Sequence, residues 1–429
     1  MKDVDNTVLQ TDHGEMSTQP SERQGMLKKV QIFKALRYRN FALLWFGLVL
    51  SNIGTWVQTI AQLLLVLKIT NNSGAAIGVF SFAQALPFFI FAWVAGGIAD
   101  RVDKRNLLLV TQSLQIVFAF ALAALVLTGT IQLWQIVAIA ALNCIAVSFD
   151  APTRFTFISS LVPRDDLSNA ISLNSAAFNG AQVIGPALGG ILVVLIGYAG
   201  NFIFNGFSFV AVLIALLLMK LPKHVSTNPH PVLQDICDGL IYIRRERLLL
   251  SLLVNYGSLA FFGATYTVLL SLFAVVILGE TAAGTGVLYA ALGLGTVIGA
   301  LGLASLGDYA HKGRLLMVSS LSFSLSVIAV TFSRLFWLSL VLLLLVGGTQ
   351  VISATLTMTL LQLNAPRHML GLVMSLNVLI LKGFWPMGAF PFGALANVTG
   401  VATSIALGAV IAGVISAYLF SSTKELRDA

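Results

Sequence analysis

Charge is scarce in this chain: Asp, Glu, Lys and Arg make up 10% of its 429 residues, where soluble domains carry roughly a quarter. That scarcity leaves too little polar surface for a water-soluble globule. Cysteine is scarcer still, with Cys144 in an apolar run and Cys237 in a polar one, so no disulfide framework is expected. The five histidines all fall in polar stretches, and neither a metal site nor a cofactor is expected. A G-x-x-x-x-G-K-[ST] phosphate loop is missing, which argues against ATP-driven work by this chain. Paired carboxylates, or a Ser or Cys beside an activating base, are missing from the apolar runs, so the chain is not expected to be an enzyme.

What fills the sequence instead is apolar: 57% of residues are hydrophobic and the mean hydropathy is +0.91. Twelve apolar blocks start near Phe41, Ala75, Leu107, Gln132, Ala170, Asn201, Leu248, Ala282, Leu315, Phe336, Gly371 and Val401. About 20 apolar residues make one helical crossing of a bilayer. The blocks lack the polar/apolar alternation of a barrel wall, and helices satisfy their own backbone groups in lipid. The expected fold class is therefore all-α, with twelve transmembrane helices and the lipid bilayer as the surrounding partner.

The net charge of +8 is a topology signal, and no nucleic-acid partner is expected. Taking alternate connections, Lys and Arg number 22 on one side of the membrane, while Lys68 and Arg334 stand on the other and Lys382 lies inside a span. By the positive-inside rule both termini and the long middle connection are cytoplasmic. No cleavable secretory signal is read in the polar start. The chain divides into a tail (1–39), six spans (40–220), a linker (221–247), six more spans (248–421) and a short tail (422–429). The linker's second part, Asp235 to Arg247, sets Ile236, Leu240, Ile241 and Ile243 among charges, a pattern suited to an amphipathic surface helix or a solvated connector.

The two sets of six spans are copies. Pro163, Arg164, Leu167, Ser172, Leu173 and Asn174 have counterparts 203 positions on at Pro366, Arg367, Leu370, Ser375, Leu376 and Asn377. The same offset pairs Asn52 with Asn255, Gly54 with Gly257, Gly185 with Gly388 and Gly190 with Gly393. Duplication of long apolar segments predicts two pseudo-symmetric six-helix bundles around one central path.

Between the second and third spans lies Gly96-Gly97-Ile98-Ala99-Asp100-Arg101-Val102-Asp103-Lys104-Arg105. This stretch resembles the G-x-L-A-D-R-x-G-R-R signature of the major facilitator superfamily, with Asp103 where the family usually has Gly. The resemblance implies the major facilitator fold and a conformational latch of Gly96, Asp100, Arg101, Lys104 and Arg105, with the helix starting at Gly371 as the partner of Asp100. Read without the family, Arg101, Lys104 and Arg105 serve only to fix topology. In the fifth span, Gly185-Pro186-Ala187-Leu188-Gly189-Gly190 looks like the G-P-x-x-G-G core that marks exporters and antiporters of the superfamily. Small residues there let helices approach closely, and Gly295, Gly299 and Gly302 of the eighth span are the expected facing surface.

Lys382 sits near the middle of the eleventh span, where an ionisable group is costly and usually faces a polar cavity; pairing with backbone carbonyls is the structural alternative. Its repeat partner, Asn179, points to the same central path. Asp150 and Arg154 stand one helical turn apart with Pro152 between them, a favourable pair orientation. Together with Leu161-Val162-Pro163-Arg164-Asp165-Asp166-Leu167, that run resembles the drug and proton antiporter branch that includes macrolide and enterobactin exporters. Coupling to protons and simple pairing both fit it. Asn52, Gln58, Gln62, Asn255 and Tyr256 add polar groups in the first and seventh spans, where they either line a cavity or join helices.

Together these features predict a monomeric secondary transporter in the bacterial cytoplasmic membrane, exporting a small amphipathic compound, a drug or siderophore, by alternating access in exchange for protons. Uptake by proton symport, or a sensor on the same scaffold that moves nothing, are the alternatives.

Overall fold

A computed structural model of the protein describes residues 33–99, 102–219, 244, 246–306, 309, 311–366 and 370–428. Among these there are helices and short connections and no strand, as a lipid environment requires of an unclosed chain. The first bundle holds α1 (Arg39–Ile69), α2 (Gly74–Ala99), α3 (Lys104–Leu127) and α4 (Leu133–Leu161), then a helical stretch Arg164–Leu218. At 55 residues that stretch would measure about 80 Å if straight, far beyond a hydrocarbon layer of roughly 30 Å. It breaks at Gly197, with φ 72° and ψ −179°, into α5 (164–196) and α6 (198–218).

The second bundle holds α7 (Arg247–Val276), α8 (Ala282–Ser305), α9 (Lys312–Phe332), α10 (Phe336–Asn364), α11 (370–399) and α12 (Val401–Ser422). The break between α11 and α12 is Gly400, at φ 88°, the repeat counterpart of Gly197. Both glycines adopt a backbone that a side chain would strain, so the two hairpins are one inherited device. Two wide turns interrupt the second bundle: π-helical turns at Leu259–Gly263 in α7 and Ile380–Phe384 in α11. They pack against each other, the backbone of Gly388 lying on the carbonyl of Phe261.

Within the first bundle α1 packs on α5 and α6, α2 on α4, and α3 on α4 and α6, and the second bundle repeats the scheme with α8 on α10 and α9 on α10 and α12. The bundles meet along two related seams, α5 against α8 and α2 against α11. In α5, Gly190 sits on the carbonyl of Ala282 and on Gly286; in α11, Gly393 sits on the carbonyl of Gly74 and on Gly78. Each seam thus places a repeat-related glycine against the first turns of the opposing bundle's second helix.

The glycines of α8 differ from expectation. Gly286 and Gly293 face α5, whereas Gly295 lies on Leu344 and Gly299 on Gly348 of α10, and Gly302 meets open space. The expected set read composition without helical phase. Gly293 and Gly295 are two residues apart, and two residues turn a helix by about 200°, so the two sets look opposite ways.

The apolar packing is unequal across the membrane. On the face away from the chain ends, the far face, one core joins both bundles through Ile60, Leu64, Ile77 and Phe80 of the first and Leu269, Phe273, Leu288 and Phe392 of the second. Toward the face bearing the ends, the terminal face, the cores formed by the described residues are separate: Leu44, Leu48, Phe157 and Leu216 in one, Leu252, Leu316, Leu360 and Phe420 in the other. Among the described residues, then, the bundles share a core on the far face and part toward the terminal face.

Candidate substrate path and coupling site

The parting exposes a stripe of α5. Pro186 and Gly190 touch α8, as does the backbone of Gln182 and Val183; the next turns toward the terminal face carry Asn179 and Ser175, both exposed. Steps of three or four residues keep these positions on one helical face, so the surface that forms the seam becomes the wall of the opening. Asn179 lies at the point of divergence. Its repeat counterpart Lys382 falls within the π-helical turn of α11. Nearby, Phe89 of α2 stacks on Phe384 of α11 with centroids 6.3 Å apart, and Phe384 meets the edge of Phe261 at 6.4 Å. These rings bridge the two bundles.

Asp150 lies on α4, well inside the first bundle. It is 3% exposed, accepts from Thr111 Oγ1 at 3.0 Å and Gln112 Nε2 at 2.8 Å on α3, and pairs with Arg154 one turn along α4. A buried charge needs such donors to offset its lost hydration. The repeat counterparts of the pair are Ser353 and Thr357. There Ser353 donates to Ser319 Oγ at 2.9 Å, and Asn255, fully buried, accepts from Ser416 Oγ at 2.7 Å. One bundle is held at this depth by an ion pair and the other by neutral hydrogen bonds.

The remaining candidates divide. Gln58 accepts from Asn205 Nδ2 at 2.8 Å between α1 and α6; Gln62 and Tyr256 are buried; Asn52 is half-buried. Gly185 and Gly189 pack on Trp56 and Val57 of α1, inside the first bundle, while Pro186 and Gly190 face the second. Of the latch residues, Asp100 and Arg101 lie outside the described residues, Gly96 is in the last turn of α2 and Gly371 in the first turn of α11. Lys104 opens α3. Arg105 donates to the carbonyls of Leu216 (2.8 Å) and Leu217 (3.0 Å), where a cation suits the negative C-terminal end of α6. Cys144 donates to the carbonyl of Gln84.

Three features escaped the reading of residues. Asp103, the departure from the family's Gly, caps α3 by accepting from the N–H of Asn106 at 2.9 Å, a pattern that helix-start rules can find. Thr111 and Gln112 were visible as a polar break, Thr-Gln-Ser, in an apolar run. Asp166 receives Lys34 Nζ at 2.7 Å, Arg37 at 2.6 Å and the Tyr38 hydroxyl at 2.7 Å, tying the chain ahead of α1 to the start of α5.

Two six-helix bundles that share a core at one face and, among the described residues, part at the other, with an ion pair of Asp150 and Arg154 inside the first bundle, define a membrane transporter of the major facilitator superfamily. Within it the chain belongs to the transmembrane secretion effector family, which matches residues 31–428. It is 23% identical to the multidrug efflux pump Tap of Mycolicibacterium fortuitum over 88% of this chain and 95% of that one. It is 27% identical to the enterobactin exporter EntS of Shigella flexneri, over 79% and 82%. The crystal structure of a D-xylose-proton symporter superposes with a TM-score of 0.71 at 14% identity, covering 91% of this chain and 98% of that one, a likeness of fold.

Proposed function

We propose that this protein exports small amphipathic compounds by alternating access, in exchange for protons. The observation that carries this reading is the unequal packing: one shared apolar core at the far face and two separate cores at the terminal face. The count of Lys and Arg assigns the terminal face to the cytoplasm, so the opening faces the compartment from which export starts. A compound entering there meets Asn179 and the rings of Phe89 and Phe384 before it reaches the seal. The names carried by the relatives favour drugs and siderophores as cargo.

Coupling falls to Asp150 and Arg154, with Lys382 as a second candidate. A proton on Asp150 removes the charge that holds Arg154, Thr111 and Gln112, and loosens α4 from α3. The cycle then requires the carboxyl to be protonated from the outer side and deprotonated toward the cytoplasm. Cells overproducing the protein, loaded with ethidium or with members of a macrolide and catecholate panel, test this. Efflux of at least one compound is expected to exceed that of control cells and to stop when a protonophore is added. An Asp150→Asn variant is expected to lose this energised efflux yet still exchange labelled for unlabelled compound in de-energised vesicles. Faster accumulation would favour uptake, and no flux under any gradient would sink the transport reading.

A further inference from the structure

Asn397 belongs to the last turns of α11 in the second bundle, yet its side chain serves the first. Its Oδ1 accepts from the backbone N–H of Gly74 at 2.8 Å and of Ala75 at 3.3 Å, and its Nδ2 donates to Ser73 Oγ at 3.3 Å. Gly74 and Ala75 open α2, and the first N–H groups of a helix have no partner within it. Asn71 and Asn72, at φ 51° and 62°, make the tight turn that aims this helix start at α11. Close contact of Gly393 with Gly74 and Gly78 then brings the two backbones together.

The bond is an addition to an ordinary cap. Ser73 accepts from the N–H of Ala76 at 3.3 Å, so α2 keeps a cap of its own when the bundles part. The duplication does not copy the device: the counterpart of Asn397 is Val194, and α8 is capped from its own bundle by Thr281, which accepts from Gly284 at 3.4 Å. A cavity of about 360 Å³, lined in part by Asn71, Asn72, Leu272 and Asn397, lets solvent replace the bonds when they break.

We propose that Asn397 is a positioning residue for transport: by capping α2 from the other bundle it latches the far face shut and biases the protein toward the state open at the terminal face. Bonds made in one state and absent from the other shift the balance by their full differential free energy. The consequence for flux rests on the alternating-access reading above; the latch itself does not depend on which compound is carried.

The test uses full-length protein with Cys144→Ser and Cys237→Ser, carrying Ser175→Cys as a reporter in inverted membrane vesicles. Labelling by a membrane-impermeant maleimide reads the fraction open at the terminal face. Asn397→Ala is expected to lower the ratio of labelling-competent to protected protein about three- to tenfold, the worth of one or two such hydrogen bonds. Asn397→Asp keeps an acceptor and adds a negative charge at a helix N-terminus, so it is expected to restore or exceed the parent ratio. In a second arm, a Ser73→Cys, Asn397→Cys pair is expected to cross-link under oxidation, to fix the reporter as reactive and to stop flux until reduced. Equal labelling in parent and Ala variants, an Asp variant that behaves like the Ala variant, or undiminished flux in the cross-linked protein would each overturn the proposal. Labelling needs no substrate: a failed efflux assay with an intact labelling shift would remove the export reading and leave the latch standing.

Discussion

Gly190 lets α5 meet α8 backbone to backbone. A Cβ placed there would lie 2.3 Å from the carbonyl of Ala282, backbone that cannot move aside. Close approach through small residues is how helices associate in lipid, where no hydrophobic effect draws them together. Gly190→Val is therefore expected to hold the far face apart and to reduce transport about tenfold or more, since the seam tolerates no added volume. Gly180→Ala and Gly302→Ala, whose added methyl would meet nothing within 4 Å, are expected to transport normally, and flux in matched vesicles compares the three. At this scale the sequence was legible where chemistry is local. The Asp150 and Arg154 pair could be read because both lie on one helix a turn apart. Gln112 and Thr111 could not be assigned to Asp150, because the rotation of α3 against α4 is fixed by packing over many residues and by no local rule.

The helices themselves were the most readable level, since a run of about 20 apolar residues has one outcome in a bilayer. Their ends were readable too where the duplication helped: Gly197 and Gly400 stand 203 positions apart and both take positive φ at the hairpins. Gly197→Ala is expected to destabilise the protein by about 1–3 kcal/mol through backbone strain alone, because a methyl there would touch nothing. Thermal unfolding in detergent reads this, and an unchanged midpoint would show that the hairpin relaxes. The π-helical turns of α7 and α11 had no sequence signal. Each is an extra residue accommodated where the two helices press together around Phe261 and Gly388, so its cause is tertiary. Helical phase accounts for the eighth-span glycines in the same way: which of them faced α5 depended on a rotation that composition does not contain.

For the whole molecule, the duplication and the charge count make one joint statement about topology. A bundle of six helices returns the chain to the face where it began, so the second copy starts in the same orientation as the first, and the two are related by an axis along the membrane normal. The connections bearing Lys104 and Lys312 must then share a face with both chain ends, and those bearing Thr130 and Arg334 must share the other. Single cysteines at these four positions, introduced without Cys144 and Cys237, test the arrangement in intact cells with an impermeant maleimide. Thr130→Cys and Arg334→Cys are expected to label at once, and Lys104→Cys and Lys312→Cys only after the membrane is opened. The reverse pattern would turn the molecule over and make the parted face the outer one, so that the structure would show the state that releases cargo. A split between Lys104 and Lys312 would do more: it would place the copies antiparallel, remove the relation between the α5–α8 and α2–α11 seams, and leave the shared far-face core without the symmetry that explains it.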